Sequence, residues 1–563
     1  MRFVLIGFSV AVAVGICVSA ATAELTAVCR DYAVTSGHPD STRIGVAVLR
    51  AGGNVVDAAV ATSLALGVAE PYGSGIGGKA MLLYREAATG KVYSLEAMCQ
   101  APAGLDADAF AKLRRQDRYY GYRAVAIPGL VACLGEAHRQ WGSRPWGELV
   151  LPAAELAGDG VVVSPPMYSL MRPKRNLLRR DSEAAAMFLA DGETPPVGAL
   201  MRYPALAATL REIAQGGPRA FYEGPIAEQM VDACQAGGSP MTLGDLKNYE
   251  VRQGSPLVAD WEGYRLATSP PPLTGGTTVL ATLRALEGVA GLQACAERNA
   301  SYIDLVGRAL LVLYPAISRT IADSEAADDD AAWLVSTEGA DAARAAADQL
   351  NPASPAVPDI SPGGVTADDT PQASTTHLIV ADRAGNVVCL TQSLSYHMGA
   401  GVVAPGVGVL FNNSMSNFST RSPEGVNYVA PGKRERSTIA PVIATRDGQP
   451  VLAMGIPGGQ RIPTTMIQLL IDHLQLGTPL RTTFDRSRFH VVRAVSSNEP
   501  PNLIDLEAGS AAELGPQLES LGYRVARHAA DGHYFGGGSA VRWTPTGLEA
   551  VADTRRTNDA DGD

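Results

Sequence analysis

The sequence predicts an α/β protein, and three observations carry that expectation. Two helix patterns form an apolar hairpin near the N-terminus, strand-like runs alternate with amphipathic helices through the middle, and paired strand runs dominate from Thr375 until a helix begins at Pro463. With 563 residues, 46% of them hydrophobic, the chain is long enough for several conventional domains or one unusually large one, and a buried core is within easy reach.

In chain order, Met1-Arg2 precedes an apolar stretch closed by Ala21-Thr22-Ala23, the pattern of a secretory signal over residues 1–23. The mature protein is therefore expected to be exported, periplasmic or secreted, and no other segment reads as long and apolar enough to span a bilayer. Cleavage after Ala23 leaves Cys29, Cys99, Cys133, Cys234, Cys295 and Cys389, whose wide spacing gives no disulfide framework; buried free thiols are expected. Asp40-Ser41-Thr42 is expected to cap a helix that stops at Gly52-Gly53, and Asn54 a second one ended by Pro71. Strands are expected in AMLLY and KVYSL, and helices in LVACLGEAHRQWG and PIAEQMVDACQA. WEGYRLATS reads as one strand running into Pro270–Gly276, which opens a further helix, and MIQLLIDHLQLG is the helix begun at Pro463. The last residues, TRRTNDADGD, read as a polar tail.

Several function classes are excluded at this level. The net charge of −11, without a sustained Lys/Arg run, argues against nucleic acid or an anionic membrane as partner and leaves small neutral or zwitterionic substrates. Gly73-Ser74-Gly75-Ile76-Gly77-Gly78-Lys79 has phosphate-loop spacing, but Ala80 offers no hydroxyl for Mg²⁺, and the segment follows a helix and enters a strand, the reverse of the required context. The eight histidines show no metal-binding spacing, and no metal or cofactor is expected.

Thr375 carries the chemistry. It follows a Pro/Asp/Gly-rich linker, about residues 352–374, and precedes two strand runs joined at Arg383-Ala384-Gly385-Asn386. A cut between Ser374 and Thr375 would set an α-amine, of ordinary pKa about 7.7 to 8.0, beside the hydroxyl, so that one residue supplies nucleophile and base. Thr is also a good strand residue, and the tripeptide alone is equally a hairpin start. Pairing about the turn brings Ser393 within one residue of Thr375 across the ladder. Gly458 and Gly459 follow the strand-like VLAMG, and such a pair can bring bare N–H groups to an oxyanion or simply turn the chain.

In this order, IGVAVLRAGGNVVDAAVA, GSGIGG, FYEGPIAEQ, TLGDLKNY, PPPLTGG, TTH, GVLFNNSM, GKRERSTIAP, IPGGQRI and ADTRR resemble the γ-glutamyltransferase (glutathione hydrolase) family of self-cleaving N-terminal nucleophile hydrolases. The resemblance implies a four-layer αββα sandwich made of a large subunit (24–374) and a small one (375–563), acting on a small-molecule amide or peptide. By position it implies Thr375 as nucleophile, Ser393 as the assisting hydroxyl, Ser437 and Thr438 at the substrate carboxylate, and Gly458 with Gly459 as oxyanion hole. The pocket departs from the family pattern. Met98 stands where an Arg would grip the γ-glutamyl carboxylate, Ser395 replaces an Asn, and Ser414-Met415-Ser416-Asn417 replaces the run whose Asp binds the α-amine. The stretch from Asn417 to Ser437 is short, so an open site is expected, with Arg434 and Arg436 near enough to bind an acidic group in another pose. The resulting expectation is a self-processing acyl-amide hydrolase or acyltransferase of altered specificity; the alternatives are an ordinary glutathione hydrolase and a non-catalytic binding protein.

Overall fold

The computed structural model describes residues 25–354, 360, 374–492, 502–529 and 533–563. The expected signal and most of the linker before Ser374 lie outside the described residues. Two seven-stranded antiparallel sheets form the centre. One runs Asp559–Gly562, Tyr32–Ser36, Ser374–Asp382, Val387–Ser395, Lys79–Arg85, Val92–Ala97, Arg252–Gly254. The other runs Thr26–Cys29, Gly547–Ala552, Ser539–Thr544, Gln449–Gly455, Val442–Arg446, Tyr264–Thr268, Leu257–Trp261.

Strand alternation builds the layers. Leu378 and Val380 pack outward with the helices Pro39–Arg50, Val55–Ala69 and Trp146–Asp159, whereas Ile379 and Ala381 join Ile443, Ala453 and Val541 in the cluster between the sheets. On the second sheet Val442, Ala444, Leu452 and Met454 face the helices Thr274–Leu286, Ala300–Thr320 and Arg461–Leu470. The four layers are thus α/β/β/α, as expected. Because each fully buried Val, Leu or Ile contributes about 1.5–3 kcal/mol, a one-residue slip of Ser374–Asp382 would misplace every such contact along the strand. Val55–Ala69 is apolar all round because it lies wholly inside the molecule, every residue buried, and Asn54 with Asp57 closes its N-terminus in a capping box.

Several expectations are corrected. His38, not Asp40-Ser41-Thr42, caps the first helix, because Pro39 occupies its first position and needs no N–H partner. WEGYRLATS is no single strand. Glu262 and Gly263, both at positive φ (50° and 77°), turn the chain between Leu257–Trp261 and Tyr264–Thr268, a left-handed pair suited to a tight hairpin. The helix from Arg461 to Leu470 passes into a π-turn at Ile471–Gln475. Ala300–Thr320 is long and apolar enough to cross a membrane, yet most of it is buried in the core.

The C-terminus is the largest correction. Asp559–Gly562 is a strand paired with Tyr32–Ser36, and the Asp563 carboxylate accepts from the N–H groups of Arg30, Asp31 and Tyr32 at 3.1, 2.8 and 3.1 Å. Its polar composition gives no apolar alternation, so only the partner strand reveals it. Among the described residues Cys99, Cys133, Cys234, Cys295 and Cys389 are buried free thiols, as expected, and Cys29 is buried as well.

Candidate active site

Thr375 is the second residue of the central strand Ser374–Asp382. The ladder pairs Thr376 with Gln392 and Ser374 with Ser395, and the irregularity between these pairs leaves Thr375 facing the Ser393 side chain. Thr375 Oγ1 donates to Ser393 Oγ at 3.4 Å, Ser393 Oγ donates to the Ser374 carbonyl, and the Ser395 N–H donates back to Ser393 Oγ at 2.9 Å. One hydroxyl therefore touches both the Thr375 side chain and the carbonyl of the peptide bond that precedes it. Thr375 and Ser393 are each 1% exposed.

A polar network secures the other flank. Thr376 Oγ1 and the Tyr72 hydroxyl donate to the two oxygens of Glu70 at 2.6 and 2.7 Å, and Thr557 joins at 3.3 Å. Burial, reinforced by Glu70, raises the Tyr72 pKa, so the phenol stays protonated and donates. Arg556 Nη1 donates to the Thr375 carbonyl at 2.7 Å. Gly37 must lack a side chain here, since a Cβ would stand 2.3 Å from Glu70 Oε2 and 2.4 Å from Thr376 Oγ1. Glu70, Arg556 and Thr557 are neighbours of the candidate site that the sequence reading does not assign. The only signals were that Glu70 precedes the helix-ending Pro71 and that Arg556 closes the shared segment ADTRR; Thr557 lay in the stretch read as a polar tail.

The strand that leads into the glycine loop meets the Thr375 strand from the facing sheet. Gly455 lies against the His377 ring, where a Cβ would come within 2.1 Å, so the end of Gln449–Gly455 passes directly over the start of the Thr375 strand. Gly458 (φ 153°) and Gly459 (φ 62°) then turn the chain in conformations that favour glycine. Among the described residues neither N–H has a hydrogen-bond partner. Thr438 Oγ1 donates to the Gly459 carbonyl at 2.8 Å, and the Ser437 carbonyl accepts from the Thr274 N–H at 2.7 Å, which ties both residues to the loop and to the helix Thr274–Leu286. His377 is excluded as a base for Thr375. Its Nδ1 shares a 2.8 Å hydrogen bond with Thr391, and burial pulls its pKa down to about 3.

The expected pocket residues divide. Ser395, Ser414 and Asn417 converge: Ser395 Oγ lies 2.9 Å from Ser414 Oγ and 3.1 Å from Asn417 Nδ2, and Ser395 holds a left-handed φ of 76°. Met98 does not join them, because it is wholly buried in the apolar cluster between the sheets with Leu273 and Ile439. Arg434 and Arg436 are committed elsewhere. Arg434 Nη1 pairs with Glu96 Oε2 at 2.8 Å and Arg436 Nη1 donates to the Ser318 carbonyl at 2.9 Å, so neither is presented to an acidic ligand. Instead, Lys79 and Glu435 form a buried ion pair at 2.7 Å, with Lys79 Nζ also 2.9 Å from Ser395 Oγ and Asn417 Nδ2 donating to the same Glu435 oxygen. The phosphate-loop spacing had drawn attention to Lys79 for another reason, and nothing in the sequence joins it to a residue more than three hundred positions away.

Residues 41–562 match the family described as gamma-glutamyltranspeptidase. The chain is 31% identical to the glutathione hydrolase proenzyme of Bacillus subtilis over 89% of its own length and 86% of that protein. It is 30% identical to the Acylase ACY 1 proenzyme of Pseudomonas sp. strain V22, over 91% and 90% of the two chains. The structure of the cephalosporin acylase of Bacillus halodurans superimposes with a TM-score of 0.85 at 25% identity, covering 96% of this chain and 97% of that one.

Proposed function

The chain belongs to the gamma-glutamyltranspeptidase family, and on that premise we propose that it is an exported proenzyme that cleaves itself between Ser374 and Thr375 and then hydrolyses an acyl amide through Thr375. The observation that carries this reading is the Ser393 hydroxyl, which touches the Thr375 hydroxyl and the Ser374 carbonyl together. Attack of Thr375 Oγ1 on the Ser374 carbonyl carbon converts the peptide bond to an ester and frees the Thr375 nitrogen as an amine. Water then hydrolyses the ester. During the attack negative charge develops on the Ser374 oxygen, where the Ser393 O–H already donates.

In the mature enzyme the same hydroxyl attacks the substrate carbonyl, the new α-amine shuttles the proton to the leaving amine, and the two unspent N–H groups of the glycine loop receive the oxyanion. The relatives divide between glutathione hydrolases and acylases. The buried Met98 and the committed Arg434 and Arg436 favour an acyl group other than the glutamyl zwitterion, because none of the three offers a cation to its carboxylate. Denaturing gels with N-terminal sequencing test the processing step. Wild type is expected to split into two fragments, the smaller beginning at Thr375, and Thr375→Ala to remain one chain. A small fragment starting elsewhere sinks the assignment. Turnover of glutathione with ordinary efficiency would instead favour the glutathione hydrolase reading of the pocket.

A further inference from the structure

The buried pair beside the nucleophile is unevenly satisfied. Glu435 Oε2 receives Lys79 Nζ at 2.7 Å, Asn417 Nδ2, and Ser395 Oγ at 3.5 Å, whereas Oε1 accepts no hydrogen bond among the described residues. Glu435 is completely buried, and a buried carboxylate oxygen without a donor calls for an explanation. The Cys99 thiol is coupled to this carboxylate, and burial and then Glu435 keep it protonated, but a thiol is only a weak donor. The pair is also continuous with the Thr375 site. Lys79 is the ladder partner of Ser393, and Ser395, whose N–H meets Ser393 Oγ, bridges to both Lys79 and Glu435.

Charge narrows what Oε1 would accept. Lys79 at 2.7 Å already neutralises Glu435, so a second ammonium would enter against Lys79 and a carboxylate against Glu435. A neutral donor meets neither cost and satisfies the unpaired oxygen. We infer that Glu435 Oε1 reads the acyl group, accepting a hydrogen bond from a hydroxyl or amide N–H carried on the acyl chain, with Lys79 holding the carboxylate in place. The substrate class is then an acyl amide whose acyl part bears an uncharged donor. This rests on the reading of Thr375 as nucleophile.

The test uses the processed full-length protein and straight-chain acyl p-nitroanilides that differ only in the terminal group, methyl, hydroxyl, ammonium or carboxylate, each in a series of chain lengths. At the length that reaches Glu435, the hydroxyl compound is expected to exceed the methyl one by about tenfold or more in kcat/KM, and to exceed both charged ones. The hydroxyl-to-methyl ratio is expected to fall toward one in Lys79→Met/Glu435→Met, a pair replacement of similar volume that buried ion pairs often tolerate. Equal rates for hydroxyl and methyl at every length, preference for a charged terminus, or a ratio that survives the double replacement overturns the proposal. The wild-type ratio decides the matter even if the double variant fails to fold. No turnover of any compound by a chain that has split at Thr375 also overturns it, while leaving the processing reading intact. A chain that never splits refutes that underlying reading instead.

Discussion

Replacing Ser393 by Ala removes one oxygen and three contacts together: the donor to the Ser374 carbonyl, the acceptor of Thr375 Oγ1 at 3.4 Å, and the acceptor of the Ser395 N–H at 2.9 Å. The first governs the rate of self-cleavage, because the Ser374 oxygen takes up negative charge as Thr375 attacks. Loss of one such donor typically costs about 2.7 to 4 kcal/mol, so processing should slow by roughly 10² to 10³. The orphaned Ser395 N–H adds about 1 to 3 kcal/mol to the folded state's cost, which a large core with two sheets and flanking helices should absorb. The assay is the first-order conversion of purified precursor into two bands on a denaturing gel, with thermal melting as the check on folding. Ser393→Thr keeps the hydroxyl and should restore most of the rate. A folded Ser393→Ala precursor that processes at the wild-type rate, or a Thr variant as slow as the Ala one, refutes the reasoning.

Arg556→Met removes the donor to the Thr375 carbonyl, and the precursor should accumulate unprocessed on the same gels although the residue lies 181 positions away in sequence. Gly455→Ala drives a Cβ to within 2.1 Å of the His377 ring, which Thr391 holds by a hydrogen bond; a loss of about 1–3 kcal/mol is expected in denaturant unfolding. Adding His377→Ala should recover part of that loss, and strict additivity of the two changes would contradict the contact. His377 also predicts acid sensitivity. Its folded pKa of about 3 lies below the ordinary value of 6.5, so the unfolded chain binds the extra proton and stability falls as pH drops from about 6.5 toward 3. At roughly 1.36 kcal/mol per pH unit, His377 accounts for about 2–3 kcal/mol between pH 7 and 4.5; His377→Gln should flatten the urea-unfolding profile by that order, and an unchanged slope rules the residue out.

Much of the architecture, and the neighbourhood of the candidate residues, was legible in local pattern. The Thr375 strand and its hairpin partner show as strand-like runs about a turn, and counting from that turn brings Ser393 within one residue of Thr375, while the irregularity between Ser374 and Thr376 sets the actual contact. The Gly458-Gly459 turn and the Asn54 cap are likewise local, since left-handed φ values and capping depend on residues within a few positions. What lay beyond the sequence depends on which strands become neighbours. The polar C-terminal segment has no apolar alternation and becomes a strand only because Tyr32–Ser36 offers an edge, and that docking brings Arg556 to the Thr375 carbonyl and Thr557 to Glu70. Lys79 and Glu435, each unremarkable in its own segment, meet because separate elements converge on the end of one strand. Burial then makes their charges dependent on each other, so the character of the pocket was decided by tertiary packing.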